Sequence, residues 1–72
     1  MIITIYSISE MARVESNYLK ITQHTDEITV MDNHEPMIYA INDGKITFDT
    51  GDFRNVKNGI CMTNGAECKI FL

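Results

Sequence analysis

Seventy-two residues form one small domain, and a chain of this size buries only about 60% of the surface that its unfolded form exposes. A hydrophobic content of 44% with 22% charged residues is ordinary for a globular protein and argues against disorder. The net charge is −4 and the basic residues are scattered singly, which argues against nucleic acid or an anionic membrane as partner. A core this thin is usually supplemented by disulfides, a metal or another protein.

The sequence contains no run of about 20 apolar residues that would span a membrane. It also lacks the positively charged start and small-residue cleavage site of a secretory signal. We therefore expect a cytosolic domain without direct membrane insertion, and two cysteines that remain free in a reducing compartment.

The first half of the chain predicts strands. Residues 1–8 alternate with apolar residues on both faces, which is typical of a strand covered on both sides. Residues 9–16 leave two alternatives, a short helix capped by Ser9 or a turn into a second strand. Residues 18–22 and 27–31 read as two strands joined by a polar hairpin turn, and the longest polar loop, DNHEP, follows at residues 32–36.

The second half of the chain also predicts strands, with short turns between them. Further predicted strands, separated by Gly and Asx turns, cover residues 37–41, 45–48, 53–57, 60–63 and 67–72. The expected fold is therefore all-β, a small antiparallel β-sandwich or flattened barrel of about 8–10 short strands in a single domain over residues 1–72.

Two cysteines flank the Asn64-Gly65 turn. Counting outward from a two-residue turn places Cys61 opposite Cys68, on one face of a hairpin. A cross-strand disulfide and a pair of small buried thiols are both compatible with this position. A two-residue turn would make Cys61 and Cys68 a hydrogen-bonded cross-strand pair. This geometry and a reducing compartment favour free thiols over a disulfide.

No catalytic or ligand-binding constellation is present in the sequence. His24, His34 and the two cysteines lack the close spacing of a zinc site, and the acidic turns lack the spacing of a calcium loop. The sequence also contains no nucleophile elbow and no phosphate-binding loop. We expect no catalytic, metal, cofactor or small-molecule substrate site, and a function in binding other proteins.

Residues 30–44, VMDNHEPMIYAINDG, resemble without a gap the VLPxHAPLIxALKPG stretch of the ε subunit of rotary ATP synthases. His34, Pro36, Ala40 and Gly44 fall on the signature positions of that family. Residues 26–30, DEITV, and 58–63, NGICMT, are similar to its GELGV and GGFVEV segments. The chain departs from the family where TQHTD replaces a glycine-rich turn, where Glu35 replaces alanine, and where Asn58 replaces a glycine.

The resemblance implies the N-terminal β-sandwich domain of the ε subunit, in a short form that lacks the C-terminal helical hairpin. It implies a non-catalytic central-stalk subunit of a proton-translocating ATP synthase, which docks the γ subunit to the c-ring and couples rotation to ATP synthesis. The expected location is cytoplasmic, at the periphery of the inner, energy-transducing membrane.

The resemblance also implies the partner-binding residues. Glu27 falls on the family's acidic turn facing the c-ring, and His34 on the loop histidine of the same contact region. The full expected set is Asp26, Glu27, Asp32, Asn33, His34, Glu35 and Pro36. The alternative is a free-standing small β-sandwich that binds a ligand or serves as an adaptor, which a large apolar pocket in place of a filled core would favour.

Overall fold

The computed structural model describes residues 1–32 and 35–72. Within them it contains seven strands and no helix, which confirms the all-β class. The strands are β1 (Ile2–Tyr6), β2 (Met11–Glu15), β3 (Tyr18–Gln23), β4 (Asp26–Met31), β5 (Met37–Phe48), β6 (Phe53–Thr63) and β7 (Glu67–Phe71). Of the two alternatives for residues 9–16, the structure has the strand.

The strands form one sheet in the order β2-β1-β7-β6-β5-β3-β4. The pairing of β1 with β7 is parallel and the other described pairings are antiparallel, so the sheet is mixed and not purely antiparallel as predicted. One buried cluster draws side chains from both ends of this order, so the sheet folds over on itself around a single core. Its buried members are Ile3, Ile5, Leu19, Ile21, Val30, Ile41, Ile46, Phe48, Val56, Cys61, Cys68 and Ile70.

The strand number is lower than the predicted eight to ten because two predicted turns lie inside the long strands β5 and β6. Residues 42–44 and 58–59 face each other, and Asn42 pairs with Asn58. Asp43 takes a positive φ of 49°, but pairing resumes at Gly44 in the same register. Turn-forming residues on both partners therefore distort the long hairpin locally while the ladder on either side continues.

The other predicted turns reverse the chain. Gln23 pairs with Asp26 to close the β3–β4 hairpin. Between β5 and β6, the Gly51 N–H donates to the Phe48 carbonyl at 3.0 Å, and Gly51 has a φ of 92°, which a glycine adopts without strain.

The predicted register of the last hairpin is wrong. Thr63, not Cys61, pairs with Cys68, and Cys61 pairs with Ile70. Four residues lie between Thr63 and Cys68, whereas the prediction left two between its innermost pair. The Asn64 side-chain oxygen holds this wider turn by accepting the N–H groups of Ala66 and Glu67, each at 3.0 Å. The two cysteines are diagonal neighbours that still share the inward face.

A buried serine joins distant turns of the fold. Ser16, which is 3% exposed, donates its hydroxyl to the Tyr18 carbonyl at 2.6 Å and accepts the Asp49 N–H at 3.0 Å. The neighbouring Asn17 N–H donates to the Asp49 carboxylate at 2.8 Å. These bonds fix the β2–β3 connection against the turn between β5 and β6.

Candidate partner-binding surfaces

One outer surface of the sheet carries a row of apolar side chains across five strands. Alternation along each strand points these residues away from the core. The pairings Met11–Tyr6, Tyr6–Phe71, Phe71–Ile60 and Ile60–Ala40 place them side by side. The cross-strand pair Ile38–Met62 lies in the next outward row. We call this surface the apolar face, and its members are Tyr6, Met11, Ile38, Ala40, Ile60, Met62 and Phe71.

The apolar face is accessible to solvent. Ile38 is 71% exposed, Met11 58% and Ile60 45%. The rings of Tyr6 and Phe71 stack at its centre with centroids 5.0 Å apart and planes 9° apart. Contiguous exposed apolar side chains of this kind mark sites of protein interaction, whereas single exposed residues do not.

The opposite outer surface, on β4, β3 and the adjoining half of the long hairpin, is mainly polar. Its outward residues include Lys20, which lies 3.9 Å from the Glu27 carboxylate, and exposed Thr29. The Lys45 ammonium covers the exposed Phe53 ring at 5.1 Å from its centroid. The two outer surfaces therefore differ in character, and the apolar face is the better suited to a protein partner.

The structure places the predicted contact residues in two groups. Asp26 and Glu27 are exposed at the tip of the β3–β4 hairpin. Asp32 follows the far end of β4, where its carboxylate lies 3.1 Å from the Met1 amino nitrogen. Glu35 and Pro36 are exposed just before β5. The remaining two predicted residues, Asn33 and His34, lie outside the described residues.

These two groups are not brought together. Glu27 and Asp32 are separated by the length of β4, which at about 3.3 Å per residue is roughly 17 Å. A single small contact region would not include both. The hairpin tip and the group of Asp32, Glu35 and Pro36 are therefore two separate candidate contacts.

The hairpin tip is held in place by Gln23, a residue that the sequence did not single out. Its side-chain amide donates to the Tyr39 hydroxyl at 2.9 Å and to the Ala40 carbonyl at 3.1 Å. Its side-chain oxygen accepts the Asn42 N–H at 2.6 Å. These bonds tie the tip to β5, so its acidic residues are presented on a fixed support.

The two cysteines are free thiols in the core, as the sequence favoured. Both are 0% exposed, and their sulfur atoms lie 3.3 Å apart. The hydrogen bond with Cys61, together with burial, raises the pKa of Cys68. The same hydrogen bond lowers the pKa of Cys61, against the opposing effect of burial.

The core of the described residues is a cluster of twelve buried hydrophobic side chains. Surface grooves are open to solvent, such as the one lined by Met62, Asn64 and Lys69. Over residues 1–32 and 35–72, no group of three or more His, Cys, Asp or Glu side chains is arranged to hold a metal ion. In the same part of the chain, no helix has the length and apolar character needed to cross a membrane.

Comparison with known proteins gives a structural likeness without a sequence match. No protein-family model and no curated protein matches the chain. The fold is similar to that of a chain in the cryo-EM structure of the Tetrahymena thermophila mitochondrial ATP synthase central stalk and c-ring, with a TM-score of 0.78 and 9% sequence identity. The match covers 97% of this chain and 60% of that one. At 9% sequence identity, this similarity shows a shared fold alone.

Proposed function

We propose that this domain is a non-catalytic, ε-type subunit in the central stalk of a rotary proton-translocating ATP synthase. It docks the γ subunit to the c-ring and so couples rotation to ATP synthesis, at the periphery of the energy-transducing membrane. The observation that carries the proposal is the exposed apolar face, on a fold similar to a chain of the Tetrahymena central stalk and c-ring structure.

The apolar face is proposed as the γ-binding surface. Cores of protein interfaces are enriched in aromatic residues and methionine and are surrounded by a polar rim. Tyr6 and Phe71 provide the aromatic pair, and charged side chains of Arg13, Glu67 and Lys69 stand beside it on the same strands. Residues 35–36 lead directly into Ile38, so we assign Asp32, Glu35 and Pro36 to the same partner.

The hairpin tip is proposed as the c-ring contact. Asp26 and Glu27 present two carboxylates at the opposite end of β4 from Asp32. Two contacts separated by a strand length suit a subunit that bridges two proteins. Gln23 would then act as a positioning residue for the tip, since it fixes the hairpin to β5.

The test is binding of the purified chain to the γ subunit and to the c-ring of the rotary ATP synthase from the cell that makes it. We expect Ile60→Glu to weaken γ binding about 30-fold or more, since a charge at the centre of an apolar interface costs about 2 kcal/mol or more. Thr29→Glu places the same charge on the opposite, mainly polar outer surface and is expected to leave γ binding unchanged. Glu27→Gln should weaken c-ring binding alone.

Two results would reject this function. One is a folded chain that binds neither γ nor the c-ring. The other is an equal effect of Ile60→Glu and Thr29→Glu on γ binding, which would show that the apolar face is not the contact. Circular dichroism of each variant distinguishes lost binding from lost folding.

A further inference from the structure

The two core thiols lie in direct contact on adjacent central strands. Cys61 in β6 and Cys68 in β7 are both fully buried, with their sulfur atoms 3.3 Å apart. A disulfide bond is 2.03–2.05 Å long, so the sulfurs need to approach by about 1.3 Å to form one. No other side chain has to move out from between them. We propose that Cys61 and Cys68 are a redox modification site, at which hydrogen peroxide oxidises the pair to a reversible intramolecular disulfide.

The register explains why this disulfide would be reversible. Cys61 pairs with Ile70, and Cys68 with Thr63, so the cysteines are diagonal and not directly opposite. Diagonal residues have Cα atoms roughly 7–8 Å apart, beyond the usual 4.4–6.8 Å of disulfides. Forming the bond therefore requires the two Cα atoms to move closer together, which strains the pairing of β6 with β7. A strained disulfide is more easily reduced than a structural one.

The chemistry balances with the peroxide as the only oxidant. The Cys61 thiolate attacks one peroxide oxygen, the O–O bond breaks, and the products are a sulfenic acid and hydroxide, which takes up the proton lost by the thiol. The Cys68 sulfur then attacks the sulfenic sulfur and displaces water. Two thiols lose two electrons in total, and the peroxide gains them as two molecules of water. Cys61 is the first to react because the hydrogen bond from Cys68 stabilises its thiolate.

The inference does not depend on the proposed stalk function, because it concerns only the chain's own core. The folded chain is treated with hydrogen peroxide, the excess is destroyed with catalase, and the chain is denatured and alkylated. We expect a product lighter by two hydrogens that takes up no alkylating reagent. Dithiothreitol should restore both alkylatable thiols. Because the thiols are buried, the reaction should be slower than that of free cysteine.

Cleavage after Glu67 identifies the bond. Both cysteines otherwise remain in one tryptic peptide, but a glutamate-specific protease separates Cys61 from Cys68, so only a disulfide holds the two fragments together. Cys61→Ser and Cys68→Ser are the matched controls. Each is expected to retain its single thiol or gain oxygen, and neither should lose two hydrogens within one chain.

Three outcomes would overturn the proposal, and all three are measured on the wild-type chain. One is oxidation of both wild-type cysteines to separate sulfinic acids without a link between the fragments. Another is a disulfide that forms only in urea, since the native contact would then play no part. The third is a link found only between different chains. Circular dichroism in the absence of urea verifies that the treated protein is folded.

Discussion

The Phe71 ring lies flat against the Tyr6 ring, with their centroids 5.0 Å apart, across the parallel pairing of β1 with β7. Stacked aromatic pairs contribute about 0.5–1.5 kcal/mol beyond the area that they bury. We expect a double-mutant cycle with Tyr6→Leu and Phe71→Leu to give a coupling of about 1 kcal/mol in urea unfolding. If the losses in unfolding free energy caused by the two single substitutions simply add up in the double variant, the stack does not stabilise this pairing.

The second prediction concerns the buried hydroxyl that links two turns. Ser16→Ala removes the acceptor of the Asp49 N–H and the donor to the Tyr18 carbonyl, and leaves these groups without that partner in a part-buried site. We expect a loss of about 1–3 kcal/mol in the free energy of unfolding. Ser9→Ala, at an exposed position, is the matched control and should change stability by less than about 0.5 kcal/mol. Equal effects would contradict the structural role of Ser16.

Two glycines are required for different physical reasons. A Cβ at Gly59 would lie 3.0 Å from Val56 Cγ1 and 3.1 Å from the Phe71 carbonyl oxygen, whereas one at Gly51 would meet no atom within 4 Å. Gly51 instead has a positive φ of 92°. We expect Gly59→Ala to lower stability by about 1–3 kcal/mol through overpacking.

At Gly51 the cost of alanine is conformational, so asparagine, which tolerates positive φ, should be less harmful there than alanine. At Gly59 asparagine should be at least as harmful as alanine, because the larger side chain meets the same backbone oxygen. Thermal unfolding of the four variants tests this reversal. The same ranking at both positions would show that backbone conformation does not distinguish them.

The last prediction concerns alkaline pH. The pKa of Cys68 is raised in the folded chain, whereas in the unfolded chain the thiol titrates near its ordinary value of 9.0. Above that pH the unfolded state has lost a proton that the folded state retains, so stability falls as pH rises. One proton corresponds to a slope of up to about 1.4 kcal/mol per pH unit.

Other groups also titrate above pH 9, so the measurement is a comparison with Cys68→Ser. Urea unfolding from pH 8 to pH 10.5 should give a steeper loss of stability for the wild-type chain than for this variant. Parallel curves would mean that Cys68 does not retain its proton in the fold.

The sequence predicts the strands better than their connections. Period-two alternation locates residues 18–22 and 27–31 and the turn between them, because both features are local. Residues 42–44 have the same turn chemistry and yet do not reverse the chain, since they pair with turn-forming residues near 58. The register after Thr63 depends on two hydrogen bonds to the Asn64 side chain, which a count of residues cannot reveal.

The candidate site likewise has one part that can be predicted from the sequence and one part that cannot. The exposure of Asp26 and Glu27 follows from a polar turn between two apolar strands, and the sequence predicts it. The apolar face joins Tyr6 to Phe71, almost the full length of the chain apart, and its continuity depends on the pairing of five strands. Met11 and Ile60 each look like isolated surface residues until those registers are known.

The parallel pairing of β1 with β7 also constrains how the chain folds. It joins Ile2 to Glu67, whereas the hairpins β3–β4 and β5–β6 join residues close in sequence. Contacts between distant residues slow folding, and β-rich domains dominated by them fold in milliseconds to seconds. During synthesis β1 is made before β7, so the edge of β1 that pairs with β7 stays open until residues 67–71 have emerged. The earliest of the seven strands therefore completes its pairing only after the latest one has been made.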